Sequence, residues 1–274
     1  LTFGSDYIIP KPFDPRLIAK IPPAVAKAAM DSGVAQFPIQ DWEKYEETLL
    51  DRMGADNKIV RLLFNRARLN PKRVVFAEAD QLDVLKAAQI VYEEGIAYPI
   101  LLGNKKQIER LKEQLEFEAD VPIIDPKDED HIEQKNKYGE VFWKQQERSG
   151  QTLLSAQKLM RERNYYAAMM VNEGDADALI TGYSRSYPSI VKPMLDLIGL
   201  APGSTRIATT NIMITRRGPL FLSDTAININ PTAHDLIKIT QMTSGVMKMF
   251  GITPVMAMLS YSNFGSSKDQ TATK

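Results

Sequence analysis

The sequence of 274 residues contains no cysteine and only two histidines, His131 and His234. Without cysteine there is no disulfide framework, thiolate-ligated zinc ion or cysteine nucleophile. Two imidazoles are also too few for a histidine-rich metal centre. No apolar run is long enough to cross a bilayer, and 34 basic residues balance 34 acidic ones. We therefore expect a cytoplasmic globular protein with no global charge to attract nucleic acid or a membrane surface.

The start of the chain also lacks familiar features. Leu1 is not a methionine, and no charged and apolar leader follows it, so no signal peptide is expected. Prolines are frequent in the first forty residues, and each proline disfavours helix at the residue before it. We therefore predict extended coil over residues 1–21 and a short helix from Pro22 to Met30, with Gly33 ending it.

The order of apolar runs predicts the fold class. Residues 73–79, 98–103 and 121–125 form compact apolar runs suited to buried strands, and residues 82–94 and 105–116 between them have helical spacing. Strands that alternate with helices across short connections are typical of a parallel sheet covered on both faces. We therefore predict an α/β protein with three αβα layers and a mostly parallel sheet.

The remaining elements follow from breakers and capping residues. Asp80, Asn104 and Thr152 each precede a helical pattern and are predicted to cap it, because their side-chain oxygens can accept from free N–H groups. The other predicted elements are helices from about Asp41 to Ala67, over 130–173 with a break at Gly150, over 188–198 and up to Phe250, strands 177–181 and 254–260, and a hairpin over 205–223 turning at Arg217-Gly218.

Three loops follow predicted strands at the end where open α/β sheets bind ligands. The loop Thr181 to Ser189 combines a glycine, serine hydroxyls and one arginine ahead of a helix, which suits a phosphate or carboxylate. A capped surface loop with a solvated arginine explains it equally well. The loop Ser260 to Ser267 could direct N–H groups at an anion, although a flexible linker is the simpler interpretation.

The third loop contains Asp224, Asn228 and Asn230 before a helix that opens at Pro231. These side chains could bind a metal or a ribose, but Asp and Asn more often form turns with their own backbone. No Ser–His–Asp set, Walker loop or G-x-G-x-x-G motif is present. The residues alone therefore predict an α/β domain with a crevice that favours anions, and no catalytic or metal-binding residue.

Two stretches of sequence resemble known families. The strings PKPFDPRL and AVAKAAMDSGVA, within residues 1–40, resemble the end of the catalytic portion of bacterial NADP-dependent malic enzymes. Residues 56–274 resemble the phosphate acetyltransferase (phosphotransacetylase) family, and residues 41–55 form the junction. The strings that carry this second resemblance are VVFAEADQLDVLKAA, PILLGN, GDADALITGYSRSYPSIVKPMLDLIG, LFLSDTAININPTAHDLIKI and MAMLSYSNFGSS.

This order of segments is that of the large hybrid malic enzymes. The resemblance implies a phosphotransacetylase-like fold, similar to isocitrate dehydrogenase, with two subdomains around a cleft. It also implies a C-terminally incomplete domain, because the family's catalytic serine–arginine segment is expected beyond residue 274. The divalent metal (Mg or Mn), NADP and the malate-binding groups are implied to belong to the malic enzyme portion, so we expect no malate oxidation by these residues.

Three positions depart from the transferase pattern. Lys192 and Gln146 stand where phosphotransacetylases commonly have arginine, and Phe264 replaces their lysine. Lysine does not replace arginine at a bidentate anion site, and the other two changes remove positive charge. Each missing cation could cost ~2–4 kcal/mol of transition-state stabilisation.

The resemblance therefore implies a non-catalytic module that binds acetyl-CoA, or a related acyl-CoA or acyl phosphate, and regulates the malic enzyme. It also implies a homo-oligomer that dimerises through this domain. The alternatives are an active acetyl- or butyryltransferase and a purely structural oligomerisation domain. The residues predicted to line the crevice are Thr181, Gly182, Ser184, Arg185, Lys192, Ser260, Ser262, Asn263 and Gly265.

Overall fold

A computed structural model describes residues 15–51, 55–215, 218–260, 262 and 266. The predicted coil before residue 15 lies outside this range. The chain divides into two compact units. We call residues 64–205 the sheet unit, and the residues up to 63 together with those from 206 onward the hairpin unit. The described helices are α1 (Pro15–Asp31), α2 (Trp42–Asp51), α3 (Ala55–Leu69), α4 (Leu82–Glu93), α5 (Lys105–Gln114), α6 (Ile132–Gln146), α7 (Leu153–Leu159), α8 (Arg163–Asn172), α9 (Tyr187–Leu197) and α10 (Ala233–Met249), with a 3-10 turn at Glu147–Ser149.

The sheet unit is built on four parallel strands. They are β1 (Lys72–Phe76), β2 (Ala97–Leu102), β3 (Ile123–Ile124) and β4 (Ala178–Ile180), in the spatial order β3-β2-β1-β4. Strand β1 is central, because it pairs with β2 on one side and β4 on the other. The predicted parallel sheet and its alternation with helices are confirmed.

The two faces of the sheet bury different helices. Successive side chains of a strand point to opposite faces, and β1 shows this directly. Val75 packs in a cluster with residues of α6, α7 and α8, including Tyr138 and Tyr166, whereas Phe76 packs in a second cluster with residues of α4 and α5, such as Leu85 and Ile108. The sheet unit therefore has the predicted three layers.

Two of the three predicted caps are confirmed. Asn104 accepts a hydrogen bond from the backbone N–H of Gln107 at 3.0 Å, and Thr152 accepts one from Ser155 at 3.3 Å. The prediction for Asp80 is wrong, since α4 begins after Gln81 and lacks a side-chain cap. Asp80 instead forms a bidentate, charge-assisted pair with Arg163 of α8.

The hairpin unit contains strands β5 (Thr210–Thr215) and β6 (Gly218–Ser223), which pair antiparallel, as predicted. Arg217 at their turn lies outside the described residues. Helix α10 packs on β6 through an edge-to-face contact of Phe221 with Phe250, whose ring centroids are 5.5 Å apart. A reciprocal capping box between Thr232 and Asp235 opens α10, in agreement with the predicted helix start.

Two predictions in the hairpin unit are wrong. Helix α1 begins at Pro15 and contains Pro22 and Pro23, where coil was predicted up to residue 21. Residues 254–260 form no strand, because no neighbouring strand of the described chain pairs with them, and Val255 and Leu259 are each 88% exposed. An apolar run predicts a strand only if a partner satisfies its backbone groups. Among the described residues, no helix is both long and apolar enough to cross a membrane.

Candidate functional site

The candidate site lies where β1 and β4 end, inside the sheet unit. Ala77, directly after β1, donates its N–H to the carbonyl of Ile180 at 3.0 Å, so the carboxyl ends of the two strands are adjacent. The turn after β1 carries Glu78 and Asp80, and the loop after β4 runs from Thr181 to Ser186, where α9 begins. We call residues 181–186 the β4–α9 loop. Two segments far apart in sequence therefore meet at the edge where open α/β sheets bind ligands.

Glu78 organises the β4–α9 loop. Its Oε1 accepts backbone N–H bonds from Gly182 at 2.8 Å and Tyr183 at 2.9 Å, and its Oε2 accepts the N–H of Ser184 at 2.9 Å and the hydroxyl of Ser184. Glu78 is only 1% exposed. Thr181 donates its hydroxyl to Asn164 at 2.8 Å. The backbone N–H groups of residues 182–184 and the hydroxyl of Ser184 are thus already bonded to a carboxylate of the same chain.

The hydrogen bonds decide the charge state of Glu78. Burial alone would raise its pKa, since a low-dielectric environment disfavours the ionised form. The hydroxyl of Ser184 and the N–H groups of Gly182, Ser184 and Tyr183 outweigh burial and hold the pKa of Glu78 below its usual value. These bonds therefore favour the ionised form of Glu78, both of whose carboxylate oxygens accept hydrogen bonds.

A second acidic side chain of the same turn is paired as well. Arg163 binds Asp80 through both terminal nitrogens, at 2.8 and 3.0 Å. Both side chains are largely buried, with 19% of the arginine and 12% of the aspartate exposed. Burial raises the pKa of Asp80, but the bonds to Arg163 bring it below its ordinary value. Arg163 joins α8 to the turn after β1 and is not free for a ligand.

An apolar pocket of about 300 Å³ opens beside Glu78. Two of its lining residues are bonded to each other: Tyr183 donates its hydroxyl to Asp83 of α4 at 2.6 Å, and this bond raises the pKa of Tyr183. The pocket suits a small uncharged apolar group, because its walls carry few polar atoms. Its lining residues are Phe76, Glu78, Asp83, Val84, Ala87, Ile180, Thr181 and Tyr183.

The two positions at which arginine is expected converge on Asp196. Lys192 lies one turn before it on α9, with Nζ 2.6 Å from Oδ2 of Asp196. The same oxygen accepts the hydroxyl of Tyr165 at 2.7 Å, and Gln146 donates its side-chain amide to the backbone carbonyl of Asp196 at 2.8 Å. Burial and the bond to Asp196 raise the pKa of Tyr165. Gln146 and Tyr165 therefore connect α6 and α8 to α9, whereas Lys192 is paired within α9 itself.

Arg185 differs from the other predicted cations. It is exposed, and within the described part of the chain its guanidinium has neither a hydrogen bond nor an ion pair. Its neighbour Ser186 bonds to Ser189 in the first turn of α9. The β4–α9 loop thus presents one cation whose donors are available to a ligand.

The other candidate loops belong to the hairpin unit. Ser260 accepts a hydrogen bond from the backbone N–H of Ser262 at 3.1 Å, whereas Asn263, Phe264 and Gly265 lie outside the described residues. Asn228 donates to Asp224 at 2.8 Å, in agreement with a turn-forming role for both. The described residues contain no group of three His, Cys, Asp or Glu side chains that could hold a metal ion.

Glu78 is the residue of this site that the sequence reasoning missed. It was assigned to the strand 73–79, although an acidic side chain inside an otherwise apolar run was a signal of a special role. A buried carboxylate needs several donors. Only the folded chain shows that those donors come from a loop more than a hundred residues later.

Comparison with known proteins shows the family and the fold of this chain. Residues 58–274 match the phosphate acetyl/butaryl transferase family. The chain is 40% identical to the NADP-dependent malic enzyme of Haemophilus influenzae and 37% identical to that of Escherichia coli, with all of this chain and 36% of each enzyme covered. The chain therefore spans about a third of the length of these relatives.

Similar proteins without a malic enzyme name match as well. The phosphate acetyltransferase of Thermoanaerobacterium thermosaccharolyticum is 31% identical over 79% of this chain and 67% of that enzyme. The EutD phosphotransacetylase from Staphylococcus aureus superposes with a TM-score of 0.69 at 27% identity, covering 79% of this chain and 64% of that one. A phosphotransacetylase from Streptococcus pyogenes superposes with a TM-score of 0.64 at 32% sequence identity, covering 77% of this chain and 65% of that one. The expected phosphotransacetylase-like fold is confirmed.

Proposed function

Because the chain belongs to the phosphate acetyl/butaryl transferase family, we propose that it forms the regulatory module of a cytoplasmic NADP-dependent malic enzyme. In this role it binds acetyl-CoA, or a related acyl-CoA or acyl phosphate, without transferring the acyl group. The observation that carries this proposal is the convergence of Lys192 and Gln146 on Asp196.

The contacts of Asp196 support binding without turnover. A transferase must neutralise a phosphate and a developing thiolate, and preorganised cations do this. One of the two cationic positions is an uncharged glutamine, and the other carries a lysine whose charge is already compensated at 2.6 Å. Removing one such donor costs ~2–4 kcal/mol of transition-state stabilisation, so two weakened positions favour a domain that retains affinity but not catalysis.

Ligand binding is assigned to the loops at the carboxyl ends of the strands. Arg185 supplies the available positive charge, and the apolar pocket beside Glu78 suits a short acyl group. Glu78 already binds the backbone donors of the β4–α9 loop. The loop residues other than Arg185 would therefore shape the binding surface without adding charge to it. The proposed ligand-binding residues of the sheet unit are Thr181, Gly182, Ser184, Arg185 and Lys192. Those of the hairpin unit, proposed separately, are Ser260, Ser262, Asn263 and Gly265.

The oxidation of malate is proposed to take place in another part of the malic enzyme. We propose that NADP and a divalent metal, Mg or Mn, are held by the part of the malic enzyme relatives that this chain does not match. The described residues do not fit such a metal site, because they hold no cluster of three suitable ligands. The proposed contribution of this chain to the oxidation of malate to pyruvate is regulation and self-association, as a dimer through this domain.

Calorimetric titration of the intact protein with acetyl-CoA tests the binding role. We expect saturable binding and, in parallel, a change in malate-dependent NADPH production. An absence of heat and of any change in rate would refute the proposal. Deleting this domain tests both roles, since the effector response and the oligomer are both expected to be lost. Loss of the oligomer with the effector response intact would favour a purely structural oligomerisation domain.

An active acetyl- or butyryltransferase is the second candidate. It is favoured by the match to enzymes named phosphate acetyltransferase over about two thirds of their length. A coupled assay for acetyl-CoA formation from acetyl phosphate and CoA decides between the two. Clear turnover would establish the transferase, whereas binding without turnover supports the regulatory role.

A further inference from the structure

We propose that Glu78 is a positioning residue, whose buried carboxylate acts as an internal anion and holds the β4–α9 loop so that Arg185 faces the phosphate of a ligand. The ligand is the acyl-CoA or acyl phosphate of the proposed function, so this part of the role rests on that function. The effect of Glu78 on the loop itself does not depend on any ligand.

The loop curves around the carboxylate. The N–H groups of Gly182, Tyr183 and Ser184 are consecutive along the chain and all point at Glu78, within 2.8–2.9 Å. Successive N–H groups that converge in this way form an anion-binding concavity. Gly182 has a φ of 109°, a conformation that L side chains rarely adopt, and this allows the curvature.

The anchoring leaves little freedom for Arg185. Ser184, directly before it, is bonded to Glu78 through both its N–H and its hydroxyl. Ser186, directly after it, precedes the first residue of α9 and bonds to Ser189. The backbone of Arg185 is therefore held from both sides, while its side chain remains exposed and unpaired within the described residues.

The two carboxylate oxygens of Glu78 accept the three N–H groups and the hydroxyl of Ser184. Glu78→Gln keeps the size of the side chain but turns one acceptor oxygen into a donor that faces donors. Glu78→Asp keeps the charge but shortens the reach by one methylene group. We therefore expect Gln to release the loop and Asp to hold it in part. Glu109→Gln is a matched control, because it removes the same charge from an exposed position on α5.

Hydrogen exchange on the intact protein tests the loop directly. We expect the amides of residues 182–184 to exchange more than about tenfold faster in Glu78→Gln than in the wild type and in Glu109→Gln, with β1 and α8 unchanged. Unchanged exchange of the three amides would overturn the positioning role. If Glu78→Gln does not fold, shown by loss of its thermal transition, Glu78→Asp takes its place, and the same absence of faster exchange would overturn the role.

A double-mutant cycle with acetyl-CoA as the probe tests the link to Arg185. Arg185→Ala is expected to weaken binding by about tenfold or more in the wild type, as for a lost charged hydrogen bond. The same change should have little effect once Glu78 is Gln, because the guanidinium is no longer positioned. An equal loss in both backgrounds would overturn the link. If the wild type itself binds no acetyl-CoA, the proposed function fails, while the exchange result still decides the role of Glu78 in the loop.

Discussion

Lys192 Nζ lies 2.6 Å from Oδ2 of Asp196, one helical turn further along α9, and the hydroxyl of Tyr165 donates to the same oxygen at 2.7 Å. The lysine is 69% exposed and the aspartate 28%. This pair places the charge of Lys192 against its own helix. Arg185, by contrast, has no ion pair among the residues that the structure describes.

Lys192→Ala should weaken acetyl-CoA binding less than Arg185→Ala. The ammonium of Lys192 is compensated by Asp196, so its removal should change the dissociation constant by no more than about threefold, against about tenfold or more for Arg185. Calorimetry on both variants measures the difference. A larger loss for Lys192→Ala would show that this lysine carries the phosphate contact.

Breaking the pair of Arg163 with Asp80 should destabilise the protein strongly. Arg163→Met leaves a largely buried carboxylate without its cation, and a loss of about 3–5 kcal/mol is expected for the free energy of unfolding. Denaturant unfolding followed by circular dichroism measures it. Lys105→Ala is the control, because Lys105 and Asp130 form an exposed pair at 3.5 Å that contributes at most about 1 kcal/mol. Equal effects of the two substitutions would contradict the assignment.

The turn after β1 should make the free energy of unfolding depend on pH in the acid range. The pKa values of Glu78 and Asp80 are both lower in the folded chain than their ordinary values. The unfolded chain therefore takes up protons first, and the stabilisation is complete above the unfolded pKa of ~4 and lost as the pH falls through the folded pKa values. Unfolding free energies measured from pH 7 downward should fall in this acid range. Asp80→Asn should reduce the slope, and an unchanged slope would refute its contribution.

Gly182→Ala should destabilise the sheet unit. The substitution forces a side chain into a positive φ of 109° and brings its Cβ to 3.2 Å from Cδ1 of Ile190. A loss of about 1–3 kcal/mol is expected from the backbone strain. Gly245→Ala is the matched control, since Gly245 lies exposed within α10 with no atom near its Cβ position. It should stabilise by roughly 0.5–1 kcal/mol, so a loss of stability in both variants would contradict the explanation.

Local sequence patterns were sufficient to predict most of the secondary structure and the parallel sheet. The alternation of apolar runs with helical spacing predicted the parallel sheet, and Asn104 and Thr152 cap their helices as their side chains suggest. The hairpin and the start of α10 were also predicted correctly. In each case the information lies within a few neighbouring residues, because hydrophobic period and capping are local properties.

Contacts between distant segments, or the lack of them, explain why the predictions for residues 254–260 and Asp80 were wrong. The apolar run 254–260 has the composition of a strand but no pairing partner among the described residues, so it forms none. Helix α1 begins at Pro15 although prolines interrupt its sequence, which shows that proline placement alone did not determine where that helix starts. Asp80 has the properties of a cap, yet it binds Arg163, more than eighty residues away.

The sequence by itself determined the layer architecture, the family and the loop in which the candidate site lies. The tertiary structure alone determined how the polar groups of that site are used. It directs the N–H groups of the β4–α9 loop to Glu78, pairs Lys192 with Asp196 and leaves Arg185 exposed. A buried carboxylate must find donors wherever the fold brings them, and which donors come within hydrogen-bond distance depends on the packing of segments far apart along the chain.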